Sequence, residues 1–328
     1  MSKKIICLAL SAVLFALSVL AEAQQSTKVP RIGFLGGNSP SDIKARIVAF
    51  RQGLRELGYV EGKNIVIEWR HHEGKLDRLP ALAAELVRLK VDIIVTVGPP
   101  AARAAKETTV TIPIVMMRVG DPVGSGFVAS LARPGGNITG LSTLAPELSG
   151  KRLELLKEIV PKLSRVAVFG TSSDPDNAQT LREVELAAKA LKVKLQNLDV
   201  LDPKDIETAF RAAGKGRAEA VLMMVTGAIV GAHQTQILEL AVKSRLPVIY
   251  PSPGSVEAGG LMFYGVNQND LDRRAATYVD KILKGRTPAD LPVEQPMKFE
   301  FIINLQAAKK IGLTIPPNVL VRANKVIK

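Results

Sequence analysis

The stretch IPIVMMRVGDPVGSGFVASLARPGGNITGLS, Ile112 to Ser142, decides how this chain is to be divided. Ile112 to Met117 form a short apolar strand, and Gly120-Asp121-Pro122 breaks it. The apolar spacing beyond predicts a helix through Val128 and Leu131, stopped by Pro134-Gly135-Gly136-Asn137, with a second short run from Ile138 to Ser142. Open α/β sheets hold ligands where a strand ends in such a loop at a helix start, because unpaired backbone N–H groups and the helix dipole face the crevice. Asp121 is the residue on which this expectation turns.

The same unit recurs on both sides of that stretch. Upstream, VPRIGFL (29–35) ends in Gly36-Gly37-Asn38-Ser39-Pro40. Ile43, Ile47, Phe50, Leu54 and Leu57 then mark one helical face, closed by Gly58. NIVIEW (64–69) precedes a leucine stripe at Leu76, Leu79, Leu82, Leu86 and Leu89, and DIIVTV (92–97) ends at Gly98-Pro99-Pro100 before an alanine-rich helix. With 112–117 these make four β-then-α units, the signature of a parallel doubly wound sheet. Downstream, a helix over 146–160 opens a second series, with strands expected at 165–169, 193–198, 218–224 and 247–250 and helices between them.

The last portion breaks the order. LMFYGV (261–266) runs into Asn267, and a helix follows with Leu271, Ala275, Tyr278 and Ile282 in register. Residues 293–304 read as extended, 305–311 as helical, and Thr314-Ile315-Pro316-Pro317 as the start of a polar tail. A helix placed after the second series must cover something, and the first lobe is its partner. The expected fold is α/β, two doubly wound parallel-sheet lobes joined by a multi-strand hinge. One lobe comprises 24–141 plus 268–292, and the other 142–267 plus 293–328.

Residues 1–23 read as an export signal: Lys3 and Lys4, an apolar run from Ile5 to Leu20, then Ala21-Glu22-Ala23 as the cleavage site. Cleavage removes Cys7, the one cysteine, and implies a periplasmic protein without a disulfide. The net charge of +13 is spread along the chain and aromatics make up only 4%, a pattern that argues against a nucleic-acid partner.

In a two-lobed α/β protein the strand-end loops of both sheets converge on the cleft. They supply the candidate ligand-binding residues Asn38, Ser39, Gly98, Pro99, Asp121, Thr171, Ser172, Asp174, Thr226, Ser252 and Asn267. A carboxylate such as Asp121 suits a substrate ammonium, while helix N-termini and the hydroxyls of Thr171, Ser172, Thr226 and Ser252 suit a carboxylate. An Asp before a Pro also caps turns, so capping and ligand contact both remain open for Asp121. Asn267 is a hinge residue or a ligand contact, and Trp69 reads as core.

No catalytic constellation emerges. Gly124-Ser125-Gly126-Phe127-Val128-Ala129 fits a relaxed dinucleotide pattern but follows the fourth strand rather than the first. Ser149-Gly150-Lys151-Arg152 lacks the leading glycine of a phosphate loop and reads as a turn of an exposed helix. His71, His72 and His233 lack zinc-site spacing, and there is no G-x-S-x-G elbow. The expected protein is not an enzyme and takes neither metal nor cofactor.

RQGLRELGYVEGKNI (51–65), VGDPV (119–123), RPGGNITG (133–140), LSGKRLELLK (148–157) and IPPNVLVRA (315–323) resemble the tryptophan/tyrosine-type ABC transporter substrate-binding family. The resemblance covers essentially the whole mature chain. It implies a type I periplasmic binding protein fold whose lobes close on a small solute, an amino acid or related carboxylate. The closed monomer then docks on an ABC permease and, through it, its ATPase subunits. Asp121 lies in the family's G-D-P-V motif, whereas the loops at 98–100 and 170–172 vary within the family. The alternative is a sensor whose closed form is read by a membrane kinase or chemoreceptor. An exported enzyme or a sugar-repressor-like regulator fits less well, for want of a base and nucleophile in the one case and of a DNA-binding helix pair in the other.

Overall fold

Side chains on the first strands alternate between two apolar layers, and that alternation fixes the architecture. The computed structural model describes residues 29–37, 44–171, 175–224, 229–230 and 233–328. The export signal and the candidates Asn38, Ser39, Ser172, Asp174 and Thr226 lie outside the described residues.

In the first lobe, strands β1 (Arg31–Leu35), β2 (Val66–Arg70), β3 (Ile93–Val97), β4 (Ile114–Val119) and β5 (Ile138–Ser142) form one parallel sheet in the order β2-β1-β3-β4-β5. Helices α1 (Lys44–Glu56), α2 (Leu79–Arg88) and α3 (Pro99–Thr108) cover it. Ile32, Phe34, Ile93, Val95, Val115 and Met117 face α1, while Leu35, Ile94, Ile114 and Met116 face α2 and α3. Both faces are therefore buried, as a parallel sheet requires.

The second lobe holds α4 (Ala145–Ile159), β6 (Arg165–Gly170), α5 (Pro175–Leu191), β7 (Lys194–Asp199), α6 (Asp205–Lys215), β8 (Ala220–Met223), α7 (Gln234–Lys243), β9 (Val248–Tyr250), α8 (Pro253–Glu257) and β10 (Met262–Val266). The chain then forms α9 (Gln268–Leu283) on the first lobe and returns as β11 (Phe299–Asn304), α10 (Leu305–Lys310), α11 (Pro317–Leu320) and β12 (Lys325–Ile327). The second sheet runs β12-β11-β10-β9-β8-β6-β7, parallel except where β11 opposes β10.

Three segments link the lobes: 143–144, Asn267 and 295–298, since residues up to Glu294 stay bonded to the first lobe. They are tied together, since Ser142 N–H donates to Glu294 O at 2.9 Å and Asn267 N–H to Lys298 O at 2.9 Å. Close packing seats α9 against α1. A Cβ at Gly53 would stand 2.9 Å from Ala276 Cβ, and closer still to the Arg273 carbonyl oxygen.

Two sequence expectations are corrected. Residues 122–133 form a string of turns rather than a helix. Gly126 takes φ +69, which ends any helical run, and the Phe127 and Val128 N–H groups both turn back to the Pro122 carbonyl. The polar tail after 314 carries α11 and β12, because Phe301 N–H donates to Asn324 Oδ1 at 2.7 Å and sets β12 against β11.

Candidate ligand-binding cleft

The two lobes approach each other at the strand ends. A Cβ built on Gly120, at the end of β4, would lie 3.1 Å from Ala145 Cβ at the start of α4. One on Gly124 would lie 2.7 Å from Gln179 Oε1 on α5 and 2.9 Å from Asp121 Cγ. The loop after β4 therefore faces the second lobe at two points.

Asp121 is a turn cap. Its Oδ1 accepts from Gly124 N–H at 2.9 Å and Val123 N–H at 3.2 Å, so one carboxylate oxygen is committed locally. Oδ2 lies on the side of Gly124 that Gln179 approaches. With no helix after Pro122, this loop opens no helix of its own.

Gly98 caps α3 with φ +80, a left-handed value that suits glycine. Pro99 and Pro100 occupy its first two positions, so two of the N–H groups a helix start normally offers are missing. Pro99 brings ring surface and a carbonyl rather than a donor. In the second lobe, Thr171 Oγ1 donates to Val200 O at 3.3 Å, and Asn177 Nδ2 donates to Thr171 O at 3.1 Å. Ser252 caps α8 without a side-chain capping bond, so its hydroxyl is not tied to that helix.

Asn267 is spent on the crossing. Its Oδ1 accepts from Asp270 N–H at 2.7 Å and its Nδ2 donates to Glu300 Oε1 at 2.6 Å, which makes it the N-cap of α9. Burial pushes the Glu300 carboxyl up, against the Asn267 bond. Just below, Arg118 grips Asp272 with two bonds at 2.8 and 3.2 Å and Gln268 at 2.8 Å. Asp272 is fully buried, so this pair fixes the start of α9 to the end of β4.

Trp69 packs 4.7 Å from Phe34 and donates to Glu61 at 2.9 Å, as a core residue would. His72 is buried with Nδ1 unpartnered, and burial, with His71 and Arg78 nearby, holds its pKa down.

A further correction concerns Ser149 and Arg152. Both are buried, at 1% and 9% exposure, between α4 and β10. Arg152 Nε donates to Tyr264 O at 2.8 Å and Nη1 to Ser149 Oγ at 3.4 Å, while Nη2 lies 3.2 Å from where a Gly265 Cβ would be. Burial drops the guanidinium to about 10. The signal was the run Leu148, Ser149, Arg152, Leu153, Leu156, which marks one inward face with two polar members. Gln179 had no signal, because only tertiary approach brings it to Gly124.

A family described as "ABC transporter substrate binding protein" matches residues 39–327. The chain belongs to that family. It is similar to a protein named tyrosine-binding protein from Clostridioides difficile (strain R20291), with 28% identity over 84% of this chain and 78% of the relative. A crystal structure from Streptococcus pneumonia, titled the ABC domain in complex with L-Trp, superposes with TM-score 0.83 at 26% identity, covering 91% of this chain and 99% of that one. A ligand-free, open structure of a substrate binding protein with adhesive properties from Clostridium difficile superposes with TM-score 0.69 at 25% identity, over 92% and 99%. These likenesses carry the periplasmic binding protein fold. At nearly equal identity and coverage, the superposition is closer on the L-Trp complex than on the open, ligand-free structure.

Proposed function

We propose that this substrate-binding protein captures an amino acid with an aromatic side chain by lobe closure, works outside the cytoplasmic membrane, and hands its solute to an ABC permease. The moving units are 24–141 with 268–292, and 142–267 with 293–328. The observation that carries the proposal is the closer fit to the L-Trp complex than to the open, ligand-free relative, at matched identity and coverage. The approach of Gln179 to the Asp121 turn across the cleft mouth agrees with a closed form. In this scheme Asp121 Oδ2 receives the ligand ammonium. Pro99, with Gly98 behind it, presents an apolar ledge to the ring.

The test is calorimetry on protein stripped by unfolding and refolding, against L-tyrosine, L-tryptophan, L-phenylalanine, L-leucine, small carboxylates and sugars. The aromatic amino acids should bind, and at a hundredfold excess over Kd should add about 2.7 kcal/mol of stability. A well-folded protein that ignores all three, or prefers a sugar, overturns the ligand assignment.

A further inference from the structure

Among its described residues, the first lobe offers few donors for a ligand carboxylate. Prolines remove two N–H groups from the start of α3, and the turns after Asp121 present no helix start. The second lobe holds the missing charge. Arg152 projects from α4, and helical side chains lean toward the N-terminus, so its guanidinium reaches back toward the first turns of α4. Those turns begin where Ala145 meets Gly120 of the first lobe. On its other side stands the end of β10, which leads directly into the crossing at Asn267.

Among the described residues Arg152 has no carboxylate within ion-pair distance; its named partners are a carbonyl and a hydroxyl. Every other buried or half-buried cation of the crossing region is paired, Arg118 with Asp272 and Arg274 with Glu294. A buried guanidinium held by two neutral groups retains N–H donors and a full positive charge, which the low-dielectric surroundings make costly unless an anion arrives. Gly265 lets the guanidinium approach the end of β10 closely: a Cβ there would stand 2.8 Å from the Phe263 ring and 3.2 Å from Nη2, so a side chain at this position would displace both.

We infer that Arg152 is the anchor for the ligand's carboxylate, received at the hinge end of the cleft beside Gly265 and between α4 and β10. The inference rests on the solute-receptor reading but not on its aromatic part. An aliphatic amino acid or a simple carboxylate would be held in the same way. The hydroxyl of Ser149 orients the guanidinium rather than touching ligand.

The experiment compares each acid with its uncharged amide: L-tyrosine with L-tyrosinamide, L-tryptophan with L-tryptophanamide, L-leucine with L-leucinamide, and indole-3-propionate with its amide. Wild type, Arg152→Gln and Arg152→Lys are each measured by calorimetry, with melts of the ligand-free proteins. Wild type should prefer an acid over its amide by at least tenfold. Arg152→Gln should lose that preference with an unchanged or higher ligand-free melting temperature, and Arg152→Lys should keep part of it. If L-leucine or indole-3-propionate is the ligand that behaves this way, the carboxylate anchor stands while the aromatic assignment falls. The inference is overturned if a folded Arg152→Gln keeps the wild-type acid-to-amide ratio, if wild type binds amides as tightly as acids, or if wild type binds no carboxylate in the set. A purely structural arginine would lower the melt and leave the ratio alone.

Discussion

Replacing Gly53 with Ala sets two physical effects against each other, and the structure decides between them. Gly53 lies inside α1, and its backbone takes no left-handed value, so helix propensity alone predicts a gain of about 1 kcal/mol. The added methyl would meet Ala276 Cβ at 2.9 Å and the Arg273 backbone carbon at 3.0 Å, with the Arg273 carbonyl oxygen closer still. Two of these three atoms are backbone, so relief requires α9 to shift by about half an ångström or more against a close-packed core. Overpacking of that kind costs about 1–3 kcal/mol and often exceeds it where backbone must move, so a net loss of about 1–2 kcal/mol is expected. In a chain of this size that is a fall of about 2–3 °C in melting temperature. Gly150→Ala is the internal control. It makes the same change in the middle of α4, where the nearest atom to the new methyl, Ala187 Cβ, is at an ordinary 3.5 Å, and it should raise stability by up to about 1 kcal/mol. Differential scanning calorimetry on both variants suffices. A Gly53→Ala protein as stable as wild type would show that α9 is not seated on α1 as closely as described.

Two further outcomes follow from the cleft and its rim. Gly124→Ala drives a methyl onto Asp121 Oδ2 and to 2.7 Å from Gln179 Oε1, at an exposed position, so the core melt should hardly change while displacement of both groups lowers ligand affinity about tenfold, which calorimetry reads directly. An unchanged Kd would refute a role for Asp121 Oδ2 and this turn in holding ligand. His72 is held below the ordinary imidazole value of 6.5 by burial first, then by His71 and Arg78, so the unfolded chain takes up a proton before the folded one does. Its contribution is complete above pH 6.5 and is lost as pH falls from there toward the lower folded value. Wild type should therefore lose more melting temperature than His72→Gln between pH 7 and pH 5, and parallel curves would refute the assignment.

The fold was legible because its strands are short, apolar and bounded by glycine and proline. Burial on both faces needs nothing else to declare β1, β3 and β4. The segment after Asp121 misled because Phe127, Val128 and Leu131 have helical spacing, while the deciding terms were local: the left-handed Gly126 and the Asp121 cap. The tail misled for the opposite reason, since β12 is only Lys325–Ile327 and exists through pairing with β11. Site residues were less legible still. Strand-end position selects Gly98 and Asp121 as candidates, but whether a polar group is free or committed depends on partners far away in sequence. Asn267 is absorbed by Glu300, and Arg152, read with its neighbours as a turn of an exposed helix, is buried against β10.

Closure itself can be weighed from these contacts. Near the crossing, Leu148 of α4 and Val266 of β10 sit in the same apolar cluster as Phe34, Phe50 and Val115 of the first lobe. Contacts so close to the pivot change little when the lobes rotate, so they hold the hinge without choosing between open and closed. In the proposed closure the contacts that change are those at the mouth, where the exposed Gly124 faces Gln179 and water competes on equal terms. The ligand must therefore supply most of the bias. Moving a population from 1:99 to 99:1 takes about 5.5 kcal/mol of preference for the closed form. A hydrogen bond to a charged group contributes about 1.5–3 kcal/mol, so two or three suffice. In the proposed arrangement Arg152 in the second lobe takes the carboxylate and Asp121 in the first takes the ammonium. Neither lobe alone can then hold both ends of an amino acid, and the full binding energy is realised only when they come together.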